Sequence, residues 1–277
     1  MTADCHMHMI LDGYDWKAAI GRHAERPEDG FIRSVLKVYQ QQGITYLRDG
    51  GDRWGAGARA RELAPEYGIT YRTPLAPLCC QGHYGSFIGL VYEDLREYAR
   101  LVARQKQQGA DFIKIMISGL MDFDHAGVLT EEGLPAEQIR QLIHIAHEEG
   151  MAVMAHANGA QTVLAAAEAG VDSVEHGAYL NIDVLAAMAE QGTVWVPTLS
   201  TVGNLLGKGR FPDYQVQKIL EDTLEKLSVY KGLVAPGTDA GAWAVPHGST
   251  TEEGWLRRAG INEVRLKNGT KTIMERF

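Results

Sequence analysis

The chain has 277 residues, 45% of them apolar and 22% charged, with a formal charge of −8. This suits one large-core domain over residues 1–277 and excludes a globally disordered chain. The acidic balance, the lack of an apolar run of roughly 18 residues and the odd cysteine number argue against a nucleic-acid partner, a membrane span and a disulfide framework.

The first residues carry acid and histidine where a signal peptide needs basic then apolar ones, so cytoplasm is the expected location. Short β-rich runs then alternate with longer helical ones. Strands are predicted at 2–9, 44–48, 69–75, 111–117, 151–155, 171–175, 193–197 and 233–238, and helices at 28–42, 56–67, 92–108, 135–149, 159–169, 181–191, 212–231 and 251–259. Gly43, Gly68, Gly109, Gly150, Gly170, Gly192 and Gly232 stand between a helix and the next strand, where a left-handed cap suits glycine. The helix at 212–231 carries an apolar stripe of Val216, Ile219, Leu220, Leu224, Leu227 and Tyr230. Eight strand–helix units predict an α/β fold, a closed parallel (β/α)8 TIM-type barrel, with an open doubly wound sheet as the alternative. In residues 260–277 the spacing of Leu266, Thr270, Ile273 and Phe277 favours a terminal helix packed on the barrel, although Asn268-Gly269 would allow a hairpin turn.

Polar residues fall where such a barrel builds its chemistry. Asp4, His6 and His8 alternate onto one face of the first strand, and two histidines so spaced can grip one metal ion. Ile113, Ile115 and Ile117 share a face that packs under the helical shell, so Lys114 points into the barrel. A bare ammonium there loses hydration and needs an explanation. One is a salt bridge to a neighbouring strand. The other is conversion by carbon dioxide to a carbamate, an anionic oxygen donor able to bridge two metal ions. His156, His176 and Asp239 stand at the C-terminal ends of three further predicted strands, the face on which barrel enzymes gather their catalytic residues.

This set resembles the amidohydrolase superfamily of metal-dependent hydrolases, and within it the prolidase-like and imidazolonepropionase-like branch. Asp4-Cys5-His6-Met7-His8 looks like the first-strand motif, Gly43-Ile44-Thr45-Tyr46-Leu47-Arg48-Asp49 like the second-strand segment, and Asp111-Phe112-Ile113-Lys114-Ile115 like the carboxylated-lysine strand. Ala155-His156-Ala157, Glu175-His176-Gly177 and Gly237-Thr238-Asp239 match the later ligand motifs; Val196-Pro197-Thr198 and Pro246-His247-Gly248-Ser249 resemble secondary signatures. The resemblance implies a binuclear centre. His6, His8 and Asp239 would bind the more buried ion, carboxylated Lys114 would bridge, and His156 and His176 would bind the second. Zinc is the default metal, with iron, manganese or nickel as alternatives. Two departures stand out. The accessory β-sandwich common in the family is not expected here, and Gly119-Leu120 replaces the paired glycines of relatives, so the loop through Asp122, Asp124 and His125 is expected to differ in shape.

The resemblance further implies a metal-activated hydroxide that attacks a substrate carbonyl, with Asp239 taking a proton from the bridging water and delivering it to the leaving nitrogen. The favoured reaction is cleavage of an amide or peptide-like C–N bond in a small-molecule substrate, a dipeptide or N-acyl amino acid. An esterase, lactonase or phosphotriesterase would use the same centre, and a catalytically silent metal-binding barrel is the alternative outside enzymology. Self-association into a homo-oligomer is left open. Candidate substrate contacts are His83 and Tyr84 after the third strand, Arg48 for a carboxylate (or as a bridge to Asp49), and His247 at the mouth of the site (or fixing its loop). His144 and His147 are read as solvated helix residues, and Cys79-Cys80 as thiols rather than a strained bond.

Overall fold

In the computed structural model, residues 2–277 are described. Strand β1 (Ala3–Met7) is buried along its whole length, as befits a parallel strand covered on both sides. The chain continues through α1 (Trp16–Arg22), α2 (Asp29–Gln41), β2 (Tyr46–Asp49), α3 (Ala56–Leu63), β3 (Thr70–Arg72), β4 (Leu78–Cys80), β5 (Leu90–Tyr92), α4 (Leu95–Gln107), β6 (Ile113–Met116) and α5 (Ala136–Glu148). It ends with β7 (Val153–Ala157), α6 (Ala160–Glu168), β8 (Ser173–His176), α7 (Ile182–Gln191), β9 (Val194–Val196), the short α8 (Ser200–Gly203), α9 (Asp213–Val229), α10 (Thr251–Arg258) and α11 (Glu263–Arg276). No helix among the described residues is long and apolar enough to cross a membrane.

The strands form two parallel sheets, in the orders β1-β2-β3 and β5-β4-β6-β7-β8-β9. The alternation of strand and helix predicted from the sequence is therefore present, but the named strands do not close into one cylinder. The wall is interrupted in two places, each with a local cause. The strand predicted at 69–75 ends early, as β3, which pairs with β2; after a break β4, outside the predicted bounds, pairs with β6. Pro74 and Pro77 lie in the break, and neither has an N–H for a ladder. The predicted strand at 233–238 is not regular either. It contains Pro236, and single bonds stand in for a ladder: the Trp195 N–H donates to Leu233 O, the Cys5 N–H to Pro236 O and the Asp239 N–H to His6 O.

Within the sheets the faces are sorted as the alternation demands. Ile113, Ile115 and Ile117 pack with Ile139, Leu142 and Ile143 of α5, and Lys114 faces the other way. The stripe on α9 is buried throughout. The glycines predicted as caps have left-handed φ, except Gly232.

The C-terminal residues form a helix, as favoured over the hairpin. Asn262 caps α11 by accepting the Arg265 N–H. Asn268-Gly269 lies inside it, where a Cβ on Gly269 would come within 2.1 Å of Val234 O, so glycine lets the helix lie against the irregular strand. Ile273 and Phe277 pack with Ala3, Phe112, Val194 and Ala235, all near the starts of their strands.

Candidate metal centre

His6 and His8 leave β1 on one face, and Asp239 reaches them from the irregular strand beside it. One ligand atom from each lies within 4.8 Å of the others. His6 Nε2 is 3.3 Å from His8 Nε2 and 3.5 Å from Asp239 Oδ1, and His8 Nε2 is 3.2 Å from the same oxygen. Nitrogen ligands about 2.0–2.1 Å from a tetrahedral ion would lie roughly 3.3 Å apart, so the spacing fits one shared cation. The tautomer supports this. Nδ1 of His6 is 2.7 Å from Glu175 Oε2, a carboxylate that can only accept, so Nδ1 carries the hydrogen and Nε2 presents its lone pair to the cluster. Asp239 Oδ1 is buried without a hydrogen-bond partner.

Lys114, His156 and His176 line the same cavity. His176 lies with its ring 4.5 Å from that of His156 and 5.2 Å from that of His6. Its Nδ1 is 2.7 Å from Thr198 Oγ1, which leaves Nε2 free. Nε2 of His156 is 3.2 Å from the Gly119 carbonyl, so that nitrogen donates and Nδ1 keeps the lone pair. Burial, then the positive charge of Lys114, pushes His6 down to about 4 and His156 to about 3. Burial and then the neighbouring His156 hold His176 well below the usual imidazole range. Neutral imidazole is the form that ligates.

The salt bridge weighed for Lys114 is not formed. Its Nζ is fully buried with no hydrogen-bond partner, because Glu175, the nearby acid, is taken by others. Arg48 Nη2 donates to Glu175 Oε1 at 2.8 Å, and Ser173 Oγ to the same oxygen at 2.5 Å. Burial brings the Lys114 amine down to about 8. Burial opposes the charge on Glu175, but Arg48 and His6 outweigh it and bring that acid to about 2.

The remaining candidates divide. Tyr84 lines the cavity, its ring 4.9 Å from that of His156. His83 does not line it and stands 3.6 Å from Glu131, whose Oε1 also accepts the Tyr84 N–H. Arg48 is buried away from the cavity and is paired with Glu175, with further bonds to Cys5 O and Ser173 Oγ; it neither faces a substrate nor bridges to Asp49. His247 fixes its loop, Nε2 donating to Leu11 O at 2.9 Å. Asp4, on the same face as the two histidines, is spent on the neighbouring segment: its carboxylate accepts the Thr238 N–H and hydroxyl. His144 and His147 are exposed, and all three cysteines are free. Sequence reasoning missed Glu175, Thr198 and Glu131. The place of Glu175 on the same strand as His176 is a signal that could have found it.

Left-handed backbone is concentrated here: φ is 69° at His176, 55° at Asp239 and 47° at Thr198. Non-glycine residues rarely hold this conformation outside strained functional sites. Glycine clears the space around the cluster. A Cβ on Gly50 would fall 2.1 Å from His8 Cε1.

The cavity above these groups has a volume of about 840 Å³ and mostly apolar, aromatic-rich walls. No family model matches the chain. Among characterised proteins, ochratoxinase from Aspergillus niger is 27% identical over 90% of this chain and 58% of its own length. The chain thus spans just under three-fifths of that relative. Among solved structures, a Xaa-Pro dipeptidase with bound methionine in the active site superposes with a TM-score of 0.75 at 21% identity, over 99% of this chain and 75% of that one. The A. niger ochratoxinase structure gives 0.75 at 20% identity, over 98% and 68%. The chain is thus similar in sequence to an ochratoxinase and shares its fold with that enzyme and with a dipeptidase.

Proposed function

We propose that the chain is a metal-dependent hydrolase that cleaves an amide or peptide-like C–N bond of a small substrate, a dipeptide or N-acyl amino acid. The observation that carries this reading is the meeting of His6, His8 and Asp239 within ligand distance, under a cavity that Lys114, His156 and His176 also line. The names of the similar proteins, a dipeptidase and an ochratoxinase, point the same way. The two parallel sheets, linked by the single bonds of the eighth segment, are read as a (β/α)8 barrel.

His6, His8 and Asp239 would hold one divalent ion, and His156 and His176 a second, with zinc the default for this donor set. The unpaired Lys114 amine, its basicity lowered by burial, would take up carbon dioxide, losing a proton and forming a carbamate that could supply anionic oxygen ligands. When bound, such ions acidify water toward neutral pH and polarise a carbonyl. The chain's own residues do the rest. Glu175 fixes the His6 tautomer, Thr198 orients His176, and the apolar wall excludes bulk water. Asp239 accepts the proton of the attacking water and passes it to the leaving nitrogen as the C–N bond breaks.

Elemental analysis of the purified protein, with mass analysis of Lys114, tests the centre: about two metals per chain and an added carbon dioxide are expected. A screen of dipeptides, N-acyl amino acids, lactones and aryl esters tests the reaction. Asp239→Asn is expected to abolish turnover with metal largely retained; full activity in that variant would reject the role of Asp239.

A further inference from the structure

Helix α10 begins with an acid that points inward. Glu252, in its first turn, is fully buried, and among the described residues no cation pairs with it. A carboxyl without a counter-charge is costly to bury unless its oxygens are bonded, and burial pushes this one up to about 8. Both oxygens are bonded, and to one turn of chain. Oε1 accepts the Leu199 N–H at 3.0 Å and Oε2 the Ser200 N–H at 2.7 Å. Beside them, Ser200 Oγ is 2.9 Å from Thr251 Oγ1. Trp255, three residues on and so on the same helix face, lies so close to α8 that a Cβ on Gly203 would fall 2.4 Å from its ring nitrogen. Glu252 and Trp255 together hold α10 to the segment that follows β9.

The bonded turn is the one that orients His176. The Leu199 N–H belongs to the peptide group that joins Thr198 to Leu199. Fixing that N–H fixes the carbonyl on its other side, and the Thr198 carbonyl accepts the Thr201 N–H at 3.0 Å and the Thr201 hydroxyl at 2.8 Å. Thr198 has a φ of 47°, a left-handed conformation that a β-branched residue holds only where its surroundings impose it. From this position its Oγ1 stands 2.7 Å from His176 Nδ1. Short bonds therefore lead from the Glu252 carboxylate, through one peptide group and one side chain, to the imidazole. Neither Glu252 nor Thr198 lines the cavity, whereas Thr201 and Leu205 of the same segment do, so Glu252 acts on the histidine and on the cavity wall rather than on a substrate.

We propose that Glu252 is a positioning residue for His176: its carboxylate clamps the Thr198–Leu199 peptide, holds Thr198 Oγ1 as the acceptor of the His176 Nδ1 hydrogen, and so keeps Nε2 as the nitrogen with the lone pair, the form a metal ion needs. The link to a metal rests on the reading of His176 as a ligand, given above; the control of the tautomer does not.

The test begins with metal-free protein carrying 15N-labelled histidine. In the wild type His176 should show one tautomer at pH 7, with hydrogen on Nδ1. Glu252→Gln is nearly equal in size, but its one carbonyl oxygen cannot serve both amides and its NH2 opposes one of them. The ratio of the two His176 tautomers should fall by about 3–10-fold, the worth of one hydrogen bond. Leu142→Ala, a core change in α5, is the control for lost stability: it should lower the denaturation midpoint and leave the His176 signals as in the wild type. An unshifted ratio in Glu252→Gln, or an equal shift in Leu142→Ala, overturns the inference. Zinc titration against a chelator is the second arm. Glu252→Gln should weaken the second equivalent about tenfold and leave the first, held by His6, His8 and Asp239, within about twofold. Equal weakening of both equivalents overturns the selective role of Glu252. If the wild type takes up one equivalent only, the two-metal reading falls and the tautomer ratio still decides the role of Glu252. The wild type alone serves where the variant does not fold: its Leu199 and Ser200 amides should exchange with deuterium within about tenfold of the rate of the Trp195 amide of β9, and exchange more than about a hundredfold faster overturns the clamp.

Discussion

Replacing Glu175 by glutamine changes one atom in the least accessible part of the site. Arg48 and Glu175 are both fully buried, and the carboxylate serves three donors: Arg48 Nη2, Ser173 Oγ and His6 Nδ1. Glutamine has one carbonyl oxygen. Turned toward His6, it places an NH2 against the guanidinium and the serine hydroxyl. Turned toward Arg48, it presents a donor to His6 Nδ1 and drives the ring to the tautomer whose Nε2 carries hydrogen, which cannot ligate. Either way a buried charge loses its counter-charge, which costs about 3–5 kcal/mol. Metal affinity should fall about 10–100-fold, the usual effect of losing the partner that orients a ligating histidine. The pH dependence gives an independent handle. The acid titrates near 2 in the folded protein against an ordinary value of 4.5. Folding therefore favours its charged form. The stabilisation is complete above the unfolded value and is lost as pH falls through the folded one, an effect on the order of 3 kcal/mol. Denaturant unfolding of metal-free wild type between pH 5 and 2 should show this loss, and Glu175→Gln should flatten it while lowering stability at pH 7. The double replacement Arg48→Met with Glu175→Leu should be far less damaging to stability than the single one, because no charge is left alone. A single variant within about 1 kcal/mol of wild type at pH 7, with zinc affinity unchanged, would refute the reasoning.

Gly50→Ala should cost the site without unfolding the protein, since the new Cβ falls on the His8 ring; metal content per chain is expected to drop and far-ultraviolet circular dichroism to stay. Thr198→Val removes the oxygen 2.7 Å from His176 Nδ1 and should weaken the proposed second metal position about tenfold, read by competition with a chelator. Gly269→Ala places a methyl against the Val234 carbonyl, and should lower the denaturation midpoint by pushing α11 off the wall, a loss of about 1–3 kcal/mol.

What the sequence disclosed was whatever rests on period and position. The isoleucine alternation at 113–117 set Lys114 on the cavity side, and the strand-end positions of His156, His176 and Asp239 brought them to one cavity. The helix over 263–276 followed from apolar spacing, because Gly269 is tolerated where the helix axis must approach Val234 closely. Helix α1 was not read: it has seven residues with Ala19 as its one buried position, so it has no stripe to detect. The strand predicted at 69–75 stops at Arg72, short of Pro74, and the three-residue β4 after Pro77 is too short to show a period. The partner of Arg48 escaped for a different reason. Asp49 is its chain neighbour, but adjacent side chains on a strand point to opposite faces, so an inward Arg48 must pair across the interior, and Glu175 is 127 positions away.

The irregularity of the wall and the meeting of His6, His8 and Asp239 have one origin. A regular ladder over 233–240 would need a donor at Pro236, and the segment lies so close to its neighbours that a Cβ on Gly237 would stand 2.8 Å from His6 Cβ and 2.5 Å from Val196 Cγ1. Breaking the ladder lets the segment approach β1 closely. Asp4 clasps the amide and hydroxyl of Thr238, and the His6 carbonyl accepts the Asp239 N–H at 2.7 Å. Those bonds hold Asp239 in left-handed backbone, a conformation that costs about 1–3 kcal/mol and is kept only where the surroundings over-determine it. Its carboxylate is thereby aimed at His6 and His8, with one oxygen left free of hydrogen bonds. Strand regularity is given up where it would have turned the aspartate away, so the irregularity of this segment is a condition for His6, His8 and Asp239 to meet.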